Sequence, residues 1–295
     1  VPSVHKFVRP SVCPVRVNIF TDIVSTISKL SKECILRLAD DQIYFIVSDE
    51  NSGPAPPILW CEIPQNMFFS EYQLIGLDDE HKDIYLGLSS GNLARSLVTL
   101  KSAKSLKIKL TKKQCPCLTL EIEIPSATSQ QTRNVTHDIP AIVIPRKIWS
   151  DFQEPRIPDP DISIELPTLK QLRTTIDRMR SMASDVMIRA SAEGRLTLQI
   201  KTDMAKVSTR FKDLKVVEFG GPIDHSDSET ETQNEDRSRI CYCRVDAKKF
   251  SMFLSADQIS HNKTMCSIVH KKLVILCLRT EENVKLQCFI SGIVY

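Results

Sequence analysis

Glycine is scarce in this sequence, with eight among 295 residues, and neither a GxxxxGK nor a GxGxxG pattern occurs. The two common glycine-rich cradles for phosphate groups are therefore excluded. The six histidines are scattered without the spacing of metal ligands. No apolar run approaches the length of a membrane span, and no signal-peptide pattern opens the chain. We expect no cofactor, no metal ion and no enzymatic activity.

An excess of one charge is also missing, because 39 Lys and Arg stand against 36 Asp and Glu. The formal net charge of +3 gives no wholesale basic character of the kind that announces a nucleic-acid binder. Any role on nucleic acid must therefore come from where the basic residues lie.

Ten cysteines are present, but none forms a CxxC pair. The two CxC pairs, Cys115/Cys117 and Cys241/Cys243, lie in strand-like sequence, where residues two apart share a face. We interpret them as residues packed in a sheet rather than as metal ligands. Unpaired thiols indicate a reducing compartment, so we expect the nucleus, and also the cytoplasm, as the location.

Four segments repeat apolar residues at helical spacing and predict helices. They cover residues 17–30 and 92–103, the stretch after Pro167, and the stretch after Asp246, which is a candidate cap. Ser89 and Ser90 are candidate caps of the second helix. Most of the remaining sequence alternates apolar and polar residues, which predicts antiparallel strands with one face on a core.

The order of these elements occurs twice. SKECILRLADDQIYFIV after the first helix resembles MASDVMIRASAEGRLTLQI after the third, so the chain reads as two similar halves. We predict domains over residues 1–144 and 162–295, joined by a proline-rich extended connector over residues 145–161. Residues 224–239 are polar and acidic and are predicted to form a flexible surface loop.

The family resemblance is strongest over VTHDIPAIVIPRKIWSDFQEPRIPDPDISIELP, which runs from Val135 to Pro167. Together with LWCEI, LKIKLTKK and FKDL, this run resembles the Hus-one family of checkpoint clamp subunits. The resemblance implies an α+β fold of the PCNA-like DNA clamp type, with two similar domains that each carry two helices on antiparallel sheet. One departure is KFVRPSVCPVR near the start, where Pro10 and Pro14 put a first strand in doubt.

The same resemblance implies a non-enzymatic subunit of a heterotrimeric ring that contains Rad-nine and Rad-one. Such a ring encircles double-stranded DNA without reading its sequence, is placed there by an ATP-dependent clamp loader, and serves DNA damage checkpoint signalling and repair proteins. Three alternatives remain open: a homotrimeric replication clamp, a nuclease that uses Asp159 and Asp161, and a β-rich scaffold unrelated to DNA.

Basic residues opposite or beside the apolar helix faces are candidates for contact with DNA phosphates. These DNA-facing candidates are Lys29, Lys32, Arg95, Lys101, Lys170, Arg173, Arg178 and Lys248. Asp22 and Asp177 share those faces, so the predicted lining is mixed in charge.

Two further surfaces follow from the resemblance. The strands Thr136 to Ile144 and Lys206 to Lys212 would be exposed sheet edges that join neighbouring subunits. The candidate interface residues are Thr136, Asp138, Ile139, Ile142, Val207, Thr209 and Phe211. Trp149, Phe152 and Ile157 of the connector either border a pocket for partner peptides or pin the connector to the sheets.

Overall fold

The structure is a computed structural model, and it describes residues 7–8, 14–48, 58–74, 83–125, 132–220 and 240–293. The chain divides into two compact units. Unit 1 comprises Val1–Pro155, Gln258–Ser260 and Thr280–Leu286, and unit 2 comprises Arg156–Asp257, His261–Arg279 and Gln287–Tyr295. The domain limits predicted from the repeat stay a prediction.

Unit 1 contains eight described strands and three described α-helices. The strands are β1 (Phe7–Val8), β2 (Glu33–Leu38), β3 (Gln42–Val47), β4 (Leu59–Pro64), β5 (Ile84–Ser89), β6 (Ser105–Lys112), β7 (Pro116–Pro125) and β8 (Thr132–Val143). The helices are α1 (Pro14–Leu30), α2 (Gln65–Phe68) and α3 (Ser90–Leu97), with 3-10 turns at Val98–Ser102 and Arg146–Phe152. The strands neighbour one another in the order β1-β6-β7-β8-β5-β2-β3-β4.

The remaining elements belong to unit 2, except for Gln258 at the end of a 3-10 turn and Lys285 and Leu286 at the start of the last strand, which belong to unit 1. The strands are β9 (Ile162–Glu165), β10 (Asp185–Ser191), β11 (Arg195–Lys201), β12 (Lys206–Phe211), β13 (Val216–Phe219), β14 (Ile240–Asp246), β15 (Lys263–Val269), β16 (Leu273–Arg279) and β17 (Lys285–Ser291). The helices are α4 (Leu169–Arg180) and α5 (Ala247–Leu254), and a 3-10 turn covers Ser255–Gln258. One sheet has the order β12-β11-β10-β14, and the other runs β17-β16-β15-β9-β13.

The core of unit 1 forms where α1 packs on the sheet. Phe20 of α1 lies 6.2 Å from Phe45 and 6.0 Å from Phe68 between ring centroids, and Ile23 and Ile27 are almost fully buried. Burial of such side chains is the main favourable term in folding. The apolar face predicted for this helix is confirmed at these positions.

The helices of unit 2 follow the predicted pattern closely. Leu172 and Ile176 of α4 and Phe250 and Phe253 of α5 are completely buried. The side chain of Asp246 accepts a hydrogen bond from the backbone N–H of Lys249, which confirms the predicted N-cap of α5.

The chain differs from the predictions at the end of the second helix and near the start of the chain. Residues 98–102 form a 3-10 turn, so the second predicted helix ends as an α-helix at Leu97. The predicted cap Ser89 is confirmed, since it accepts from the Asn92 N–H. Near the start of the chain, Phe7 and Val8 pair with β6, so a two-residue first strand is present. Pro14 begins α1, at a helix position that proline tolerates.

Among the helices of the described ranges, none combines the length and the apolar character that crossing a membrane requires.

Candidate DNA-facing helices, subunit edges and connector

Most of the predicted DNA-facing residues are exposed. The exposed members are Lys29, Lys32, Arg95, Lys170, Arg178 and Lys248. Lys29 Nζ also donates to Gln258 Oε1 at 3.1 Å, within unit 1. The side chain of Lys101 lies outside the described residues. Contact with DNA stays a prediction for this set.

Helical spacing predicts that Lys32 lies opposite the apolar stripe of the first helix, but Lys32 lies beyond the end of that helix. The helix ends at Leu30, and Lys32 lies in the turn before β2. The backbone N–H of Ser90 donates to the Lys32 carbonyl at 3.0 Å, and the Ser90 hydroxyl donates to the Ser31 carbonyl. Ser90 at the start of α3 therefore donates hydrogen bonds to the backbone carbonyls that directly follow the end of α1.

Arg173 differs from the other candidates because its guanidinium is held by unit 2 itself. Arg173 Nη1 lies 3.1 Å and 3.2 Å from the two carboxylate oxygens of Asp257. Asp177, one of the acidic residues predicted on these faces, accepts a hydrogen bond from the Ser251 hydroxyl at 2.8 Å. Arg173 thus joins α4 to the turn after α5, a role that the spacing within one helix could not reveal.

The predicted edge strand of unit 1 is open over only part of its length. Residues 132–140 of β8 pair with β7, whereas Ala141, Ile142 and Val143 pair with β5. The prediction of a free edge from Thr136 to Ile144 is therefore wrong for its last residues. Within the described residues, no strand covers the opposite side of residues 132–140.

The candidate interface residues of β8 fall on both of its faces. Ile139 is only 2% exposed and belongs to the core, so it is not available at a subunit joint as predicted. Ile142 is 69% exposed, and Thr136 is exposed as well. The alternation of side chains along a strand explains why Ile139 points inward while Thr136 and Asp138 do not.

Asp138 is fixed by neighbouring strands of its own unit. It accepts from the Thr119 hydroxyl at 2.6 Å and forms an ion pair with Lys113. Hydrogen bonds from Lys113 and Thr119 hold the pKa of this carboxyl below its usual value. Asp138 therefore stays ionised in a set geometry beside the open edge.

The candidate edge of unit 2 is β12, the outermost strand of the four-stranded sheet. It pairs with β11 through a register that places Phe211 opposite Leu196. Within the described residues, no strand covers its other side. Val207, Thr209 and Phe211 share one face and are half-buried.

The aromatic residues of the predicted connector pack on one tyrosine. The rings of Trp149 and Tyr85 are stacked with centroids 4.7 Å apart, and Phe152 lies 6.4 Å from Tyr85. Trp149 Nε1 also donates to the Ile144 carbonyl at 3.0 Å. These contacts favour the interpretation that Trp149 and Phe152 pin the connector, whereas Ile157 is half-buried in unit 2. No feature of the IYLGLS strand in the sequence marked Tyr85 as the anchor.

The residues considered for a nuclease do not converge. Asp161 accepts a hydrogen bond from the backbone N–H of His270 at 2.6 Å, which is a structural role, while Asp159 is exposed. Across the described ranges, no three His, Cys, Asp or Glu side chains are grouped so that they could hold a metal ion.

The two CxC pairs differ from one another in burial. Cys241 and Cys243 are buried on β14, whereas Cys115 is exposed in the turn before β7.

Known proteins of similar structure are sliding clamps. The proliferating cellular nuclear antigen of Entamoeba histolytica matches with a TM-score of 0.68 and 13% identity, covering 99% of this chain and 100% of that one. The PCNA2-PCNA3 complex of Sulfolobus tokodaii matches with a TM-score of 0.64 and 13% identity, covering 97% of this chain and 98% of that one. At this identity the likeness establishes the fold, which is α+β and PCNA-like as expected.

Relatives in sequence point to one family. The human "Checkpoint protein HUS1" is 42% identical over 278 residues, which is 94% of this chain and 95% of the human one. The Drosophila melanogaster "Checkpoint protein Hus1-like" is 28% identical over 95% of this chain and 96% of its own length. The profile of the family described as "Hus1-like protein" matches residues 12–294. The chain therefore belongs to the Hus1-like protein family, with the fold of a sliding clamp subunit.

Proposed function

We propose that this chain is one subunit of a heterotrimeric, ring-shaped DNA clamp that acts in the DNA damage checkpoint and as a platform for repair proteins. Its neighbours in the ring are the Rad-nine and Rad-one subunits, an ATP-dependent loader places the ring on DNA, and the ring works in the nucleus and also occurs in the cytoplasm. Family membership and the clamp fold support the checkpoint role.

The observation that carries the ring assembly is that the candidate edge strand of each unit has an open side within the described residues. Residues 132–140 of β8 lack a partner strand on one side within the described residues, and so does β12. An edge strand presents unpaired N–H and C=O groups, which another chain satisfies by strand addition. Two different edges on one chain let it join two different neighbours, which is the requirement for a closed ring of unlike subunits.

Contact with DNA in this proposal depends on phosphates and not on bases. The exposed basic residues on or beside the helices, such as Lys29, Arg95 and Lys170, suit sequence-independent contacts whose strength falls with salt. Tight binding is unnecessary, because a closed ring stays on the duplex through topology. The chain itself has a binding role and no catalytic one in this proposal.

Topological retention provides the experiment. The ring assembled with Rad-nine and Rad-one is loaded on a nicked circular plasmid with loader and ATP, and the plasmid is then cut once at a distant site. We expect the ring to remain on the circle in moderate salt and to leave the linear molecule. Equal retention on both forms would show direct binding rather than encirclement and would contradict the proposal.

A further inference from the structure

The outer face of the four-stranded sheet in unit 2 carries a groove of about 440 Å³. It lies on the face opposite the one that packs on α4 and α5, because its lining residues alternate with the buried Ile188, Leu196 and Leu198. Its basic lining consists of Arg189, Arg195, Lys206, Arg210 and Lys212, and no acidic side chain lines it.

The positive charges of this basic groove are only partly balanced. Arg195 pairs with Glu193 at 3.5 Å, and Arg189 lies over the ring of Tyr242. Lys206, Arg210 and Lys212 are exposed, and none of them forms an ion pair with any part of the chain that the structure describes.

Like charges are also placed directly against each other on this face. Lys206 stands opposite Lys201 in the β11–β12 register, and Arg210 and Arg189 flank Thr197 from its two sides. Like charges on opposing strands destabilise a sheet. An anionic group bound across the strands would relieve this repulsion.

A buried hydroxyl in the lining points to the same conclusion. Ser191 is only 5% exposed, and its Oγ has no hydrogen-bond partner in the structure. A buried hydroxyl without a partner is costly, whereas one that donates to a ligand oxygen is not. Ser191 ends β10 beside Arg195, so a carboxylate or phosphate oxygen there would meet both a hydroxyl and a cation.

We propose that the basic groove binds an acidic peptide segment of a partner protein. The basic residues spread from Lys206 at the start of β12 to Lys212 just after its end, about 20 Å at 3.3 Å per residue. This length matches several negative side chains along an extended peptide rather than one ion. In the sequence, Arg237 and Arg239 stand between the chain's own acidic residues 224–236 and Ile240 of the groove, so the residues that adjoin Ile240 in sequence are basic. Strand addition at the edge of β12 uses backbone groups in the plane of the sheet and leaves this face open.

The test measures binding of a fluorescent peptide of eight glutamates to the full chain, with an eight-glutamine peptide and a single-stranded DNA octamer as the other probes. We expect salt-sensitive binding of the glutamate peptide and none of the glutamine peptide. The variant Lys206→Glu/Arg210→Glu should bind at least tenfold more weakly. The matched control Lys263→Glu/Arg279→Glu reverses two exposed, facing charges in the other sheet of unit 2 and should bind as the native chain does.

A smaller change probes the hydroxyl without altering the charge. Ser191→Ala should weaken peptide binding severalfold while leaving the midpoint of thermal unfolding unchanged or higher, because it removes a buried polar group that has no partner among the residues that the structure describes. Three results would overturn the proposal: equal binding by both charge-reversal variants, tighter binding of the DNA octamer that the groove variant alone loses, or peptide binding that appears only after residues 224–236 are deleted. The last result would assign the groove to the chain's own acidic segment.

Discussion

Replacement of Trp149 tests whether the connector is pinned to unit 1. In Trp149→Ala, the stacked contact with Tyr85 and the hydrogen bond to the Ile144 carbonyl are both lost. An aromatic pair contributes about 0.5–1.5 kcal/mol beyond its buried area. The hydrogen bond contributes about 1 kcal/mol. With the lost apolar contact of a half-buried ring, we expect the free energy of unfolding to fall by about 2–3 kcal/mol.

Two further variants separate these contributions. Trp149→Phe keeps a ring on Tyr85 but cannot donate to Ile144, so it should cost about 1 kcal/mol. Lys147→Ala changes an exposed residue of the same 3-10 turn and should stay within about 0.5 kcal/mol of the native chain.

Urea unfolding followed by circular dichroism gives the free energies, and hydrogen exchange of the amides in residues 146–152 locates the loss. The exchange of these amides should accelerate in Trp149→Ala and change little in Lys147→Ala. If Trp149→Ala unfolds within about 0.5 kcal/mol of the native chain and its connector amides exchange at the native rate, the pinning interpretation is wrong.

Four other outcomes are expected. Lys29→Glu/Lys170→Glu should shorten the time for which the assembled ring stays on linear DNA with free ends at moderate salt, and an unchanged time would mean that these residues are merely solvated. Val207→Asp should prevent the joint at β12, as seen by the mass of the co-expressed complex, and a ring of normal mass would remove β12 from the interface. Cys115 should react with a thiol reagent at pH 8 and Cys266 should not, because burial raises the pKa of Cys266 to about 12. In the unfolded chain that thiol ionises near pH 8.5, so its contribution to stability is present below pH 8.5 and is lost as pH rises towards 12. If the free energy of unfolding of Cys266→Ala falls with pH above 8.5 as steeply as that of the native chain, this reasoning is contradicted.

The sequence predicted best what depends on local pattern. The buried faces of α4 and α5 follow from the spacing of residues such as Leu172 and Phe253, and the caps Ser89 and Asp246 follow from side chains that bond to a nearby N–H. Such features need only residues within one or two helical turns.

What the sequence did not predict depends on contacts between distant residues. The carbonyls of Ser31 and Lys32, just after α1, accept hydrogen bonds from Ser90, which is 59 residues away from Ser31. Arg173 is tied to Asp257 across 84 residues, and no spacing within α4 reveals that partner. The basic groove is similar, because its charges come together only once β10, β11 and β12 are in register.

The open side of β8 was predicted from the sequence only in part. The sequence indicated an edge strand, but the passage of β8 from β7 to β5 at Ala141 is a property of the assembled sheet. Alternation of side chains along β8 buries Ile139 and exposes Ile142.

The composition of the complex tests the central claim most directly. The chain is co-expressed with Rad-nine and Rad-one subunits and with neither, and the mass of each purified particle is measured by native mass spectrometry. We expect one particle with a single copy of each of the three chains, and no stable ring from this chain alone. A stable homotrimer of the isolated chain that loads on DNA by itself, or three co-expressed chains that remain separate, would contradict it.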